Sequence, residues 1–136
     1  MKHRFAHPMQ VRFADTDAQG HMYFANYLTF CDEALAAYMR AIGCPWQQLV
    51  EQGVDMFYVR SACEYKGSAK FESVLSIHTR IAEFGNSSMR SEYSVYCPRG
   101  ALIASAELTG VCITVADRQP TRVPDSLREA VAAYEA

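Results

Sequence analysis

Nothing in this chain approaches the ~20 consecutive apolar residues that a helix needs to cross a membrane. The opening residues, Met1-Lys2-His3-Arg4-Phe5-Ala6-His7-Pro8, start basic but lack the apolar stretch of a signal peptide. An excess of one charge is missing as well: 13 Lys and Arg stand against 15 Asp and Glu, a net −2, with a pI near 6.1. Chains that coat nucleic acid carry a strongly basic face, so no nucleic-acid partner is expected. The five cysteines, Cys31, Cys44, Cys63, Cys97 and Cys112, include no C-x-x-C pair. An odd number without such pairs fits neither a disulfide framework nor a zinc site. They read as small apolar core residues of a reducing compartment, and a cytoplasmic protein is expected. Also absent are G-x-G-x-x-G, a P-loop, G-x-S-x-G and H-E-x-x-H. No metal and no organic cofactor is expected.

What is present is an ordinary globular composition, with 50% apolar and 21% charged residues in 136. That length suits a single domain over 1–136, burying roughly two thirds of its unfolded surface without staples. Met9 to Ala14 is short and partly alternating, which predicts a first strand. Asp15-Thr16-Asp17-Ala18-Gln19-Gly20 breaks the pattern with turn residues. From Tyr27 to Ile42 the period becomes helical: Leu28, Cys31, Leu35, Tyr38, Met39 and Ile42 form one stripe, opposite Asp32, Glu33, Ala36 and Arg40. Asn26 is placed to cap the start, Gly43 the end, and Pro45 stops the chain beyond it. Pro45 to Gln52 predicts a short second helix closed by Gly53.

The rest reads as strands. In 55–66, Phe57, Val59, Cys63 and Tyr65 alternate with Tyr58, Arg60, Glu64 and Lys66. In 73–83, Leu75, Ile77, Thr79 and Ile81 share one face, opposite Ser76, His78 and Arg80. Turn residues Phe84 to Ser87 lead to Met89, Tyr93, Val95 and Cys97, with Pro98-Arg99-Gly100 as the next hairpin loop. Residues 101–115 predict a long strand whose Gly110 marks a bulge. A last helix begins at Pro124 or Asp125 and turns Leu127, Val131 and Tyr134 inward. Short turns favour an antiparallel sheet, and the long amphipathic helix must bury its stripe against it. The fold class is α+β.

Asp15-x-Asp17-x-Gln19-Gly20 matches the opening of an EF-hand loop, but the twelfth position is Asn26 rather than glutamate, and calcium is rejected. Asn86-Ser87-Ser88 fits a glycosylation pattern but reads as a turn. The acidic loop runs into the start of the main helix. Free N–H groups there suit a developing oxyanion, and a carboxylate just upstream suits a nucleophile or general base. From the residues alone, ordinary turn hydrogen bonds are the preferred reading of both aspartates.

The stretch Val11-Arg12-Phe13-Ala14-Asp15-Thr16-Asp17-Ala18-Gln19-Gly20-His21-Met22-Tyr23-Phe24-Ala25-Asn26-Tyr27-Leu28 resembles the opening motif of the 4-hydroxybenzoyl-CoA thioesterase family. The likeness continues through Glu72 at a strand start, the turn from Gly85 to Met89, and Val123-Pro124 before the last helix. It implies a hot-dog fold, a curled antiparallel sheet wrapped around one long helix, and hydrolysis of an acyl-CoA thioester. On the matching positions, Asp17 is the catalytic carboxylate and the backbone N–H of Phe24 polarises the thioester carbonyl. Gly20 supplies a turn that admits the acyl group, while Asn26 and Tyr27 shape the helix start. His21 belongs to packing. Tyr23, Phe24, Phe57 and Tyr58 are candidates to line an aryl pocket.

The resemblance has one gap. Where the family member carries a basic cluster for the CoA phosphates, this chain has the uncharged Gly85-Asn86-Ser87. Lys66, Lys70, Arg90, Arg118 and Arg122 are the cations left for that task. The alternatives to an acyl-CoA thioesterase are release of a chain from an acyl-carrier protein and a non-catalytic acyl-CoA-binding module. A hot-dog dehydratase resembles a different motif with a helical histidine, and none of His3, His7, His21 or His78 lies in the main helix. A homodimer or homotetramer is expected, with the 55–66 strand pairing with its copy.

Overall fold

The computed structural model describes residues 2–136. Its elements run β1 (Phe5–Gln10), α1 (Asn26–Ala41), α2 (Trp46–Glu51), β2 (Val54–Tyr65), β3 (Val74–Phe84), β4 (Ser88–Tyr96), β5 (Leu102–Thr114) and α3 (Asp125–Glu135). The strands form one antiparallel sheet in the order β1-β3-β4-β5-β2. One face packs on α1, chiefly through β3 and β1, which is the hot-dog arrangement.

The first strand lies earlier than its residues predict. Phe5–Gln10 pairs with β3, whereas Phe13–Asp15 is a single 3-10 turn. Pro8 lies within this strand, and the position is tolerated because β1 is an edge, where an N–H facing away from its one partner makes no ladder bond. α1 buries Cys31, Leu35, Tyr38 and Met39 as expected, and also Tyr27, Phe30, Ala34 and Ala37. Leu28 and Ile42, at the two ends of the predicted stripe, are only partly buried. The stripe is therefore broader and rotated toward Tyr27. Burying one such large side chain is worth about 1.5–3 kcal/mol. The helix ends as expected: Gly43 takes φ +81°, its N–H reaches the Arg40 carbonyl at 3.1 Å, and the Cys44 N–H reaches that of Met39 at 2.9 Å.

Leu75, Ile77, Thr79 and Ile81 face inward from β3, and Met89, Ser91, Tyr93 and Val95 from β4. Glu72 precedes β3 instead of opening it, with φ +72° in the turn. β2 departs more sharply. Tyr58 pairs with Gly110 and Arg60 with Thr109, leaving Val59 as an inserted residue. The bulge thus sits in β2, across from Gly110 rather than at it. Gly110 has a different cause: a Cβ there would lie 2.2 Å from the Met56 sulfur. Because side chains alternate, one inserted residue exchanges the faces. Before the bulge Val54 and Tyr58 pack on the core; after it Cys63 does. Phe57 and Val59 are left 46% and 55% exposed. Of the cysteines, Cys31, Cys44 and Cys112 are buried, whereas Cys63 and Cys97 are only partly so. Among the described residues, no helix is long and apolar enough to cross a membrane.

Candidate active site

Asp15 ends the 3-10 turn and is 3% exposed. One carboxylate oxygen accepts the Arg12 backbone N–H at 2.9 Å and Nε at 3.1 Å; the other accepts Nη2 at 2.9 Å. The Asn26 amide lies 3.4 Å from Oδ1 and from the Asp15 carbonyl. The Arg12 side chain, with help from its N–H, holds this carboxyl below the usual carboxylate range against the opposing effect of burial. A buried anion so saturated is a strut.

Asp17 lies on the other arm of the loop and is partly buried. Its Oδ1 accepts the Gln19 N–H at 2.9 Å, its N–H donates to the His21 carbonyl, and its carbonyl accepts the Gly20 N–H at 3.0 Å. Gly20 turns with φ +83°, a conformation other residues adopt at a cost. Among the described residues Oδ2 has no hydrogen-bond or ion-pair partner. The aspartate is therefore oriented through one oxygen, and the other is left open. A bridge between Thr16 and Met22 folds the loop back, so Asp17 and the entrance to α1 share one end of the sheet. His21 is partly buried beside the Met22 carbonyl, consistent with packing.

At that entrance the Tyr23 N–H donates to the Asp15 carbonyl at 2.8 Å, and the Asn26 N–H donates to the Tyr23 carbonyl at 2.9 Å. The cap residue of α1 is Ala25, and no side chain caps the helix. Asn26 is thus not the cap; it is the first helical residue, its amide turned toward Asp15. The Phe24 N–H finds no acceptor among the described residues. Phe24 is 59% exposed and packs edge-on to Tyr23 at 5.0 Å and Tyr65 at 6.1 Å. Tyr27 is buried beside Tyr65, and burial pushes its hydroxyl pKa up, which fits a structural part. What this end of the molecule offers is a half-free carboxylate and an unengaged N–H, sufficient for attack on a carbonyl and for holding the oxyanion.

The other candidates are dispersed. Gly20, Tyr23, Asn26 and Tyr27 lie with Asp17 and Phe24. Lys66 and Lys70 lie at the same end, since the Lys66 N–H bonds Ile103 and the Met22 N–H bonds Ala69 beside Lys70. Phe57 and Tyr58 sit near the bulge, where the Tyr58 hydroxyl donates to Asp32 at 2.5 Å. Phe57 turns away from the core that Tyr58 joins, so the two do not line one pocket. Arg90 is engaged on the outer sheet face by Glu92 at 2.6 Å, Glu83 at 3.6 Å and Glu107 at 3.7 Å. Arg118 follows β5, and Arg122 bonds Asn86 and Asp125, both at the far end of the sheet. Two contributors went unread in the sequence. Arg128 donates to the Gly85 and Asn86 carbonyls at 2.5 and 2.9 Å, shaping that turn. Tyr65 donates to the Phe24 carbonyl at 3.0 Å. Both depend on pairings 40 or more residues apart, which no local pattern reveals. Among the described residues, no group of three or more His, Cys, Asp or Glu is placed to share a metal ion.

A family model described as the thioesterase-like superfamily matches residues 11–131, nearly the whole chain and all of the loop just described. The chain belongs to the thioesterase-like superfamily. Its class of chemistry is accordingly thioester hydrolysis. Among similar curated proteins is a Haemophilus influenzae acyl-CoA thioesterase, YbgC, 29% identical over 128 residues and covering 93% of each chain. A 1,4-dihydroxy-2-naphthoyl-CoA hydrolase of Thermosynechococcus vestitus is 28% identical over 118 residues, 86% of this chain and 81% of that one. Among solved structures, a 1,4-dihydroxy-2-naphthoyl-CoA thioesterase from Synechocystis superposes with a TM-score of 0.88. It is 22% identical and covers 97% of this chain and 98% of its own, and it establishes the shared fold.

Proposed function

We propose that this superfamily member hydrolyses an acyl-CoA thioester to the free acid and CoA. Asp17 attacks the carbonyl or activates water against it, and the oxyanion is held by the Phe24 N–H. The observation that carries the reading is the division of labour in the loop: Asp15 spends both oxygens on Arg12, whereas Asp17 keeps Oδ2 free. A module that only bound acyl-CoA would gain nothing from a free carboxylate beside an anionic ligand. The relatives named for acyl-CoA hydrolysis support the same substrate class.

The working unit in this proposal is a homodimer or a homotetramer built from it. β2 is a 12-residue edge strand, and Phe57 and Val59 stand exposed on it. Antiparallel pairing of β2 with its copy sets the Val54 end of one chain beside the Tyr65 end of the other. Within one chain, Arg118 and Arg122 are separated from Asp17 by about the length of β3, roughly 35 Å at ~3.3 Å per residue. The two-fold pairing brings a second copy's far end, with Arg122 and the Gly85–Ser87 turn, toward Asp17. Lys70 of the first chain, with Lys66 in a 3.7 Å exposed pair with Glu64 beside it, then completes the cations near the CoA phosphates.

The test is a thiol-release screen over short, long and aryl acyl-CoAs, with acyl-carrier-protein thioesters in parallel. Release of free CoA that is lost in Asp17→Asn is expected. Acyl-CoA binding without thiol release would overturn the hydrolase reading, and turnover of carrier-protein thioesters alone would replace the substrate class.

A further inference from the structure

The Phe24 N–H belongs to a residue that the core does not hold. Its ring is mostly exposed, and the first helical hydrogen bonds nearby are long: Tyr27 N–H to the Phe24 carbonyl at 3.4 Å and Leu28 N–H to the Ala25 carbonyl at 3.3 Å. Bonds of that length restrain a peptide weakly. The peptide that carries this N–H is anchored at its other end, where the Tyr23 carbonyl accepts the Asn26 N–H at 2.9 Å. The shortest contact on the following peptide comes from 41 positions away, where the Tyr65 hydroxyl donates to the Phe24 carbonyl at 3.0 Å. The Tyr65 ring also meets the Phe24 ring at 6.1 Å and the buried Tyr27 ring at 5.2 Å, both edge-on. Tyr65 is the last residue of β2, so it ties the helix entrance to the sheet edge.

We infer that Tyr65 is a positioning residue for the oxyanion donor: its hydroxyl anchors the peptide after Phe24 while the Asn26 N–H anchors the peptide before it, and the two together fix both backbone torsions of residue 24 and so the line of its N–H. The inference rests on the thioesterase reading above and adds a residue to its machinery. Preorganised donors stabilise a developing charge because they need no reorientation when it forms. A donor free to swing loses part of that advantage in the transition state, while ground-state binding of the bulk of the substrate is unaffected. Partial burial and the neighbouring Cys63 push the Tyr65 hydroxyl up to about 12, so it remains a protonated donor at neutral pH.

Tyr65→Phe removes the hydroxyl and keeps both ring contacts. With an acyl-CoA substrate, kcat is expected to fall about fivefold to tenfold, the scale of one neutral hydrogen bond. KM stays within about twofold and Tm within about 2 °C. A second readout is the carbonyl stretch of a 13C-labelled ketone analogue, R–CO–CH2–S–CoA, bound to each protein. Its frequency should move toward the free-solution value in Tyr65→Phe, which a merely structural role would not cause. An unchanged kcat, a change confined to KM, or an unshifted carbonyl frequency overturns the inference. Asp17→Asn is assayed alongside. If it is inactive while Tyr65→Phe matches wild type, only the Tyr65 assignment falls. If it retains full turnover, the Asp17 assignment falls and Tyr65 is judged on its own kcat and carbonyl frequency. If wild type binds acyl-CoA but releases no thiol, the thioesterase reading falls and the Tyr65 assignment with it.

Discussion

Asp15 and Asp17 are the same residue two positions apart in one loop, yet the structure uses them in opposite ways. Asp15 is buried, clamped by three donors of Arg12, and receives the Tyr23 N–H on its own carbonyl. It joins the strand side of the loop to the helix side. Asp17 is less buried and tied only through Oδ1. The lesson is that an open carboxylate oxygen is what remains after structure has taken its share. A carboxylate whose lone pairs are all engaged cannot attack or accept a proton without losing bonds that hold the loop. Asp15 supplies the rigidity of the loop, and Asp17 keeps the open oxygen.

The contrast is breakable. Its largest consequence concerns Asp17→Asn, which keeps the Oδ1 contact to Gln19 but removes the charge. kcat should fall by about 10²–10⁴ with Tm nearly unchanged, as judged by thiol release and thermal melting. Next comes Asp15→Asn, which leaves Arg12 without its anion. Stability should drop by about 1–3 kcal/mol, seen as a lower urea midpoint, with a smaller loss of kcat than in Asp17→Asn. Were Asp15→Asn the more damaging to kcat at full stability, the two roles would have to be exchanged.

A pH series sharpens the same point. The Asp15 carboxyl is held below its usual range in the folded chain, so the unfolded chain takes up that proton first as pH falls. The stabilisation is present above the unfolded value of about 3.9 and is lost on descending through the folded pKa. Wild type should therefore lose Tm more steeply than Asp15→Asn below about pH 4; parallel curves would remove Asp15 from the stability account. The smallest effect is assigned to Asn26→Ala. Its contacts to Asp15 are 3.4 Å long, so a stability change under about 0.5 kcal/mol is expected by urea titration. A larger loss would mean that Asn26, and not Arg12 alone, fixes the strut.

Much of this architecture is written in local pattern. The period of 27–42 shows a helix, Gly43 and Pro45 show where it ends, and the alternation of Leu75, Ile77, Thr79 and Ile81 shows which face of β3 is buried. These features arise from backbone geometry that repeats every 3.6 or 2 residues, so neighbours in sequence suffice to reveal them. The D-x-D loop and the helix start are legible for a similar reason. They lie within ten residues of one another, and the resemblance of 11–28 to a known motif singles out Asp17 and Phe24.

Other features needed the fold. Pro8 is acceptable in a strand only because β1 ends up at an edge, and Phe57 and Val59 are turned out by an insertion whose partner, Gly110, is some fifty positions away. Arg90 reads as a free cation until Glu83, Glu92 and Glu107 close around it. The tie from Tyr65 to the Phe24 carbonyl likewise exists only once β2 runs back past the start of α1. The sequence by itself determined the elements, the buried stripe of α1 and the loop that carries the carboxylates, because each depends on short-range periodicity or turn chemistry. The tertiary structure decided which aspartate keeps an open oxygen, which cations are engaged by carboxylates and what holds the Phe24 carbonyl. Those depend on which lone pairs and charges meet across the sheet, and a side chain's partners are chosen by three-dimensional proximity, not by distance along the chain.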